Sequence, residues 1–438
     1  MLWSPFDEKG GPAATQVRVH SSGNVVTAAY YHHCVALPLE SLQPLVYNAL
    51  SRVIMQFPGM GAILQQVPFI QIKDGRDQEV EMLVEEQQNM GFSQPSEQEP
   101  CWRLVVAYTA EQNYMSDMVA CFVVGETARD RFCAVAFHRS FLAALLLVNQ
   151  TKISKQPSEY PSPIASKRLS GTSISRQARQ TNYTQCHSRF KTVTLGAKET
   201  ARLLADCFAS TTLTGVIQAI LAASLFANLT SEFCYLRTAG QISPSGTIGN
   251  PIAAPCSRYI VTHDRAQGWN VASVWNEAQR IHTASKSELS EKMRKNGLIG
   301  LLRHEGDDTK YTRETSGVSA AVSSMGSFQD PKSSVSQEQR QWQTRRVICS
   351  NYNTEIGAAL WITLVVGGDG CLIMGFSWLE GIIEEVWLDQ VIATMRRMIE
   401  EPLHADGAMK TRTTIPEPLP WGGSMSRLVC LVRDLMLD

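Results

Sequence analysis

No excess of charge of either sign marks this chain: 40 lysines and arginines stand against 41 aspartates and glutamates in 438 residues. The clustered basic field that nucleic acid or an anionic lipid surface would need is missing, so neither partner is expected. Long apolar runs are missing too. The strongest, Phe141 to Val148, is far too short to span a bilayer. The opening stretch MLWSPFDEKGGP carries acidic residues and lacks the apolar centre of a signal peptide. The chain is therefore expected in the cytoplasm, as a monomer. Its 11 cysteines are scattered singly, without a C-x-x-C or any paired metal-ligand spacing. An odd, unpatterned set reads as thiols in a reducing compartment, with no disulfide framework and no metal.

What is present is material for large cores: 44% of the residues are hydrophobic and only 18% charged. A chain of this length is long for one core and comfortable for two lobes of roughly 200 residues each. Val25 to Leu37 reads as a strand. From Leu39 to Gln56 the apolar set Leu42, Leu45, Val46, Ala49, Leu50, Val53 and Ile54 keeps helical spacing. Phe57-Pro58-Gly59 stops that helix. Strands are expected at Phe69–Ile72, Trp102–Tyr108 and Met118–Val124, with a polar loop from Glu85 to Pro100, and a buried helix from Phe137 to about Asn149. Residues 151–185, rich in Ser, Pro and basic side chains without an apolar period, read as a linker between a first lobe at 1–150 and a second at 186–438.

In the second lobe, helices are expected at Ala197–Phe208, Thr212–Asn228, Asn270–Ser285 and Ile383–Ile399, and a buried strand at Val318–Ser323. Ala359–Val366 and Cys371–Trp378 flank Gly367-Gly368-Asp369-Gly370, a hairpin pattern. A phosphate-binding loop is the weaker reading of those glycines, because no helix follows them. Two α/β lobes joined by a long polar crossover imply a site between them.

Several stretches, in order, resemble the fungal alcohol O-acetyltransferase family, itself similar to BAHD acyltransferases and peptide-synthetase condensation domains. The helix LESLQPLVYNALSRVIMQFPGMGAIL resembles the family's first helix, and EPCWRLVVAY the strand before its catalytic strand. CYLRTAGQI with GTIGNPIA, VSSMGSF at Val322–Phe328, and the final hairpin and helix also match. The resemblance implies an α/β fold of two chloramphenicol-acetyltransferase-like lobes with a tunnel between them.

The family's signature is His-His-x-x-x-Asp-Gly, followed shortly by Phe-His-Arg on a helix. Here AFHRSFLAALL (Ala136–Leu146) matches that helix, which sets Gly125 to Arg131 on the signature. By this alignment Asp130 keeps the acidic position, Glu126 stands where the catalytic histidine belongs, and Arg131 replaces the glycine. The resemblance implies Glu126 as substitute base, Asp130 as orienting acid, and Arg131 narrowing the tunnel or pairing with either carboxylate. Ser323 and Ser324 replace the family's Ser-Asn. They either present hydroxyls to the tunnel or simply pack as small strand residues.

A carboxylate with a pKa of roughly 4.3 is a weaker base at neutral pH than an imidazole, although burial or the charge of Asp130 would raise it. Three readings follow. The first is acyl transfer from acyl-CoA, a co-substrate and not a bound cofactor, to a hydroxylated natural product. The second is a cyclisation of a polyketide or terpenoid on the same fold, and the third a binding homologue without catalysis. Two other histidine patterns compete with the signature. His304-Glu305-Gly306-Asp307-Asp308 spells the right spacing in a charged stretch without a preceding strand, and reads as a solvated loop. His138, on an apolar helix, reads as structural. His32 and His33 are adjacent on a strand, so they point to opposite faces and cannot share a metal.

Overall fold

The computed structural model describes residues 24–57, 67–73, 77–91, 102–125, 132–150, 187–208, 211–242, 257–296, 318–328, 341–351 and 358–404. The expected linker at 151–185 and the His304 stretch lie outside them. Two sheets carry the fold. The first contains β1 (Asn24–Pro38), β2 (Phe69–Gln71), β3 (Trp102–Tyr108), β4 (Tyr114–Gly125) and β9 (Trp342–Ser350) in the order β2-β3-β4-β1-β9. The second orders β5 (Ser188–Leu195), β11 (Leu372–Leu379), β10 (Leu360–Val366), β8 (Ala320–Ser327), β6 (Tyr235–Ile242) and β7 (Ser257–Asp264) as β5-β11-β10-β8-β6-β7.

On the first sheet lie α1 (Leu42–Gln56), α2 (Asp77–Asn89) and α3 (Phe132–Gln150). The apolar stripe of α1 is buried from Leu42 through Val53, as its spacing requires. The second sheet is covered by α5 (Leu213–Asn228), which is buried on nearly all sides, with α4 (Ala197–Phe208), α6 (Val271–Asn296) and α7 (Glu385–His404) around it. The Thr212 hydroxyl caps α5 by accepting from the Gly215 amide at 3.1 Å. Among the described residues, no helix is long and apolar enough to cross a membrane.

Two features depart from the sequence reading. The polar loop expected from Glu85 is in part helix: α2 runs through Asn89. Its apolar residues Val80, Leu83 and Val84 face the core. Its polar residues Glu81, Glu85 and Asn89 also point at protein, which is why the end of the helix from Glu85 reads as loop. They line the free edge of β5. Glu81 accepts the Thr192 amide at 2.8 Å and Glu85 the Phe190 amide at 2.9 Å. Asn89 exchanges two bonds with the Ser188 backbone. Four helical residues rise about 6 Å, nearly the two-residue step of a strand at about 6.7 Å. A ridge of side chains four apart can therefore serve alternate amides of an edge strand.

The second departure is β9. It lies among second-sheet strands in sequence but pairs with β1 in the first sheet. A bulge sets Arg345 and Arg346 opposite Tyr30. The Arg345 carbonyl accepts from the Gly368 amide of the β10–β11 turn at 2.7 Å. Any side chain at position 368 would run into the Thr344 carbonyl, so the turn needs glycine there. Further along, the Cys349 carbonyl accepts from the Thr363 hydroxyl, and the Asn351 amide donates to Ser377 Oγ at 3.3 Å. Each lobe thus covers the other's exposed strand edge.

Candidate active site

Strand β4 is apolar and buried from Met118 to Val124 and ends at Gly125, which is paired with Asn24 at the start of β1. The signature stretch leaves from this point. Glu126, Asp130 and Arg131 lie outside the described residues, and the chain returns as α3. The described elements on either side of the signature are a strand and a helix, with α3 starting at Phe132, five residues before its expected onset.

His138, six residues into α3, is fully buried. Its Nε2 bonds the Thr27 carbonyl at 3.0 Å and its Nδ1 the Tyr31 hydroxyl at 2.9 Å. The carbonyl can only accept, so Nε2 carries the proton, and the single Tyr31 hydroxyl proton lies between Nδ1 and the His138 carbonyl, 3.1 Å from the hydroxyl oxygen. Burial holds this imidazole down at about 4, against a smaller upward pull from the Thr27 carbonyl. With both nitrogens engaged and the ring neutral, His138 fixes α3 to β1 and is not a free base. The Arg139 guanidinium donates to the Ser327 carbonyl at 2.9 Å, tying α3 to the end of β8 in the second sheet.

Ser323 and Ser324 lie on β8 but on opposite faces. Ser323 is paired with Thr363, whose hydroxyl reaches β9, so Ser323 faces the first lobe; it is 3% exposed. Ser324 is paired with Leu364, which packs beneath the helices of the second lobe. The sequence reading grouped the two serines, and strand alternation separates them. Ser324 has another task. After it the register with β10 slips by one residue, placing Met325 and Gly326 opposite Val365. Gly326 takes a φ of +76°, and its amide donates to Ser324 Oγ at 3.3 Å. This bulge turns the strand end toward α3, where Met325 and Phe328 join the first lobe's core. The only sequence signal for it was the glycine in Ser-Ser-Met-Gly.

His32 and His33 divide as expected: His32 Nδ1 meets Asp117 at 2.9 Å on one face, while His33 is buried against the Trp342 ring on the other. Sequence reasoning missed a second imidazole site. The Thr238 hydroxyl meets His263 Nε2 at 2.6 Å, and His263 Nδ1 meets Glu277 at 2.5 Å. Burial alone would raise the Glu277 pKa, but bonds from Arg280 and His263 outweigh it and hold the carboxyl at about 2. The order hydroxyl, imidazole, carboxylate is that of a nucleophile triad. Here it is structural: Thr238 and His263 are fully buried, and Gln218 already donates to the Thr238 oxygen at 2.7 Å.

The architecture, two lobes of mixed sheet and helix, is a fold shared with solved acetyltransferase and peptide-synthetase structures. No family model matches the chain. It is similar to a probable alcohol acetyltransferase, crmB, of Aspergillus fumigatus, at 22% identity over 366 residues, 75% of this chain and 78% of that protein. Among solved structures it is similar to the TRI3 trichothecene 15-O-acetyltransferase of Fusarium sporotrichioides, with a TM-score of 0.59, 11% identity and coverage of 86% of this chain and 90% of that one. The epimerization domain from the third module of tyrocidine synthetase B gives a TM-score of 0.52 at 11% identity, covering 87% and 91%.

Proposed function

We propose that this protein is a biosynthetic enzyme of secondary metabolism that transfers an acyl group from acyl-CoA to a hydroxyl of a natural product in a tunnel between its lobes. The observation that supports the reading is the junction of the lobes: β4 ends at Gly125 beside Asn24, and α3, the next described element, is bonded through Arg139 to the turned end of β8 in the other lobe. The similarity to a probable alcohol acetyltransferase supports the same reading. In this mechanism Glu126 removes the acceptor's hydroxyl proton as its oxygen attacks the thioester carbonyl, CoA leaves as the thiol, and Asp130 orients the loop. Arg131 and Ser323 contact substrate.

A second reading has support from His138. The one described imidazole that follows the signature closely is neutral, buried and bonded at both nitrogens. A signature without its histidine fits a cyclisation guided by shape, which draws on positioning more than on proton transfer. Incubation with acyl-CoA donors and a panel of hydroxylated terpenoids and polyketides, following free thiol, separates the two. Acyl transfer predicts thiol release that falls by roughly 10²-fold or more in Glu126→Gln and is kept or raised in Glu126→His. Absence of thiol release with every donor, alongside conversion of an acceptor to an isomer of unchanged mass, would establish the cyclisation.

A further inference from the structure

We propose that the junction between the lobes encloses a small cluster of ordered water molecules, held by Gln88, Ser188, Ser350 and Asn351. All four side chains are buried, the most accessible at 2% exposure. Each carries a polar atom that finds no hydrogen-bond partner among the described residues: Gln88 Oε1, Ser188 Oγ, Ser350 Oγ and Asn351 Nδ2.

The backbone brings these groups to one place. The Asn24 side chain donates to the Gln87 carbonyl at 3.0 Å, so the face of β1 that carries Asn24 and Val26 looks toward the end of α2. Ser350 is paired with Val26 and shares that face. Gln88 Nε2 donates to the Asn351 carbonyl, and the neighbouring Asn89 holds Ser188. Ser188 shares its face of the second sheet with Phe190, whose partner Ser377 receives the Asn351 amide.

The chemistry of the unpartnered atoms selects the ligand. Gln88 has spent its donor on Asn351 and is left with an acceptor. Asn351 has used its backbone groups and is left with a side-chain donor. The two serine hydroxyls can do either. One acceptor, one donor and two ambivalent groups, with no formal charge among them, suit water and not an ion. Water commonly fills such buried polar sites with two to four partners. Because Asn24 is the partner of Gly125, this hydrated site abuts the strand end from which Glu126 departs. It does not depend on which reaction the protein performs.

A crystal structure of the full chain at near-atomic resolution tests this directly. Expected are solvent peaks within hydrogen-bond distance of at least three of the four atoms, and loss or displacement of a peak in Ser350→Ala. Water-oxygen relaxation dispersion in solution, compared between wild type and Ser188→Ala, should show fewer long-lived internal waters in the variant. Direct bonding of the four atoms to protein groups, or density larger than water at this place, would overturn the proposal.

Discussion

Asn89 and Ser188 clasp each other across the lobes: the Asn89 side-chain oxygen accepts from the Ser188 amide at 2.8 Å, and its nitrogen donates to the Ser188 carbonyl at 2.7 Å. With Glu81 and Glu85 this pair makes α2 a substitute for a strand along β5. Bonds from backbone amides to carboxylates contribute about 1.5–3 kcal/mol in favourable cases, and less at this half-buried edge. The double substitution Glu81→Ala, Glu85→Ala should therefore cost about 2 kcal/mol in urea unfolding. Hydrogen exchange should quicken at the Phe190 and Thr192 amides and stay unchanged in the α5 core. Equal exchange in both forms would mean that the edge is protected by something else.

His138 makes stability fall in mild acid. Its folded value is about 4 and the ordinary value 6.5, so between these the unfolded chain binds the extra proton. Stability is complete above about pH 6.5 and declines as pH drops toward 4. The full span amounts to about 3 kcal/mol. Measured unfolding free energies in His138→Gln should lose this slope, even though the variant is less stable at neutral pH.

Glu277 acts in a lower window. Its carboxyl is held at about 2 in the folded protein, against 4.5 ordinarily, so its contribution is present above pH 4.5 and fades as pH falls toward 2. Removing one partner of a buried charged network typically costs about 3–5 kcal/mol. Glu277→Gln should approach the lower figure, because Arg280 is half-exposed and can find water. Thermal unfolding at pH 7 of Glu277→Gln and His263→Phe, singly and together, should show costs that do not add.

The two serines of β8 should separate by mutation. Ser324→Ala removes the hydroxyl that caps the Gly326 amide and should cost about 1 kcal/mol without introducing bulk. Ser323→Leu introduces bulk on the face toward the first lobe, where overpacking costs about 1–3 kcal/mol. It should also impair turnover more than Ser324→Ala does. Thermal melts and a turnover assay run on both variants check the order, and a reversed order in turnover would place the site on the other face.

Much of this fold was legible because its signals are local. The stripe Leu42–Val53, the Thr212 cap and the paired glycines of the β10–β11 turn each state their element within a dozen residues. What escaped was set by contacts between distant residues. Glu81, Glu85 and Asn89 gave no apolar period because their partners are the amides of β5, about a hundred residues later. β9 is an unremarkable polar-to-apolar strand whose sheet is chosen by β1. At the site, alternation alone could have separated Ser323 from Ser324. The bulge at Gly326, which decides where the strand end goes, depends on register with β10.

The placement of β9 also bears on how the chain reaches its native state during synthesis. The first sheet needs residues 342–350 beside β1, so a ribosome must pass residue 350 of these 438 before the sheet it began with can close. Until then the unpaired edge of β1, with its nearly continuous apolar run from Val25 to Tyr31, is a template for aggregation. Domains usually fold in the order they emerge, whereas here the first sheet must wait for the second half of the message. A chain truncated before residue 340 should therefore aggregate in a cell-free translation reaction, and supplying the missing segment in trans as a separate fragment should rescue solubility.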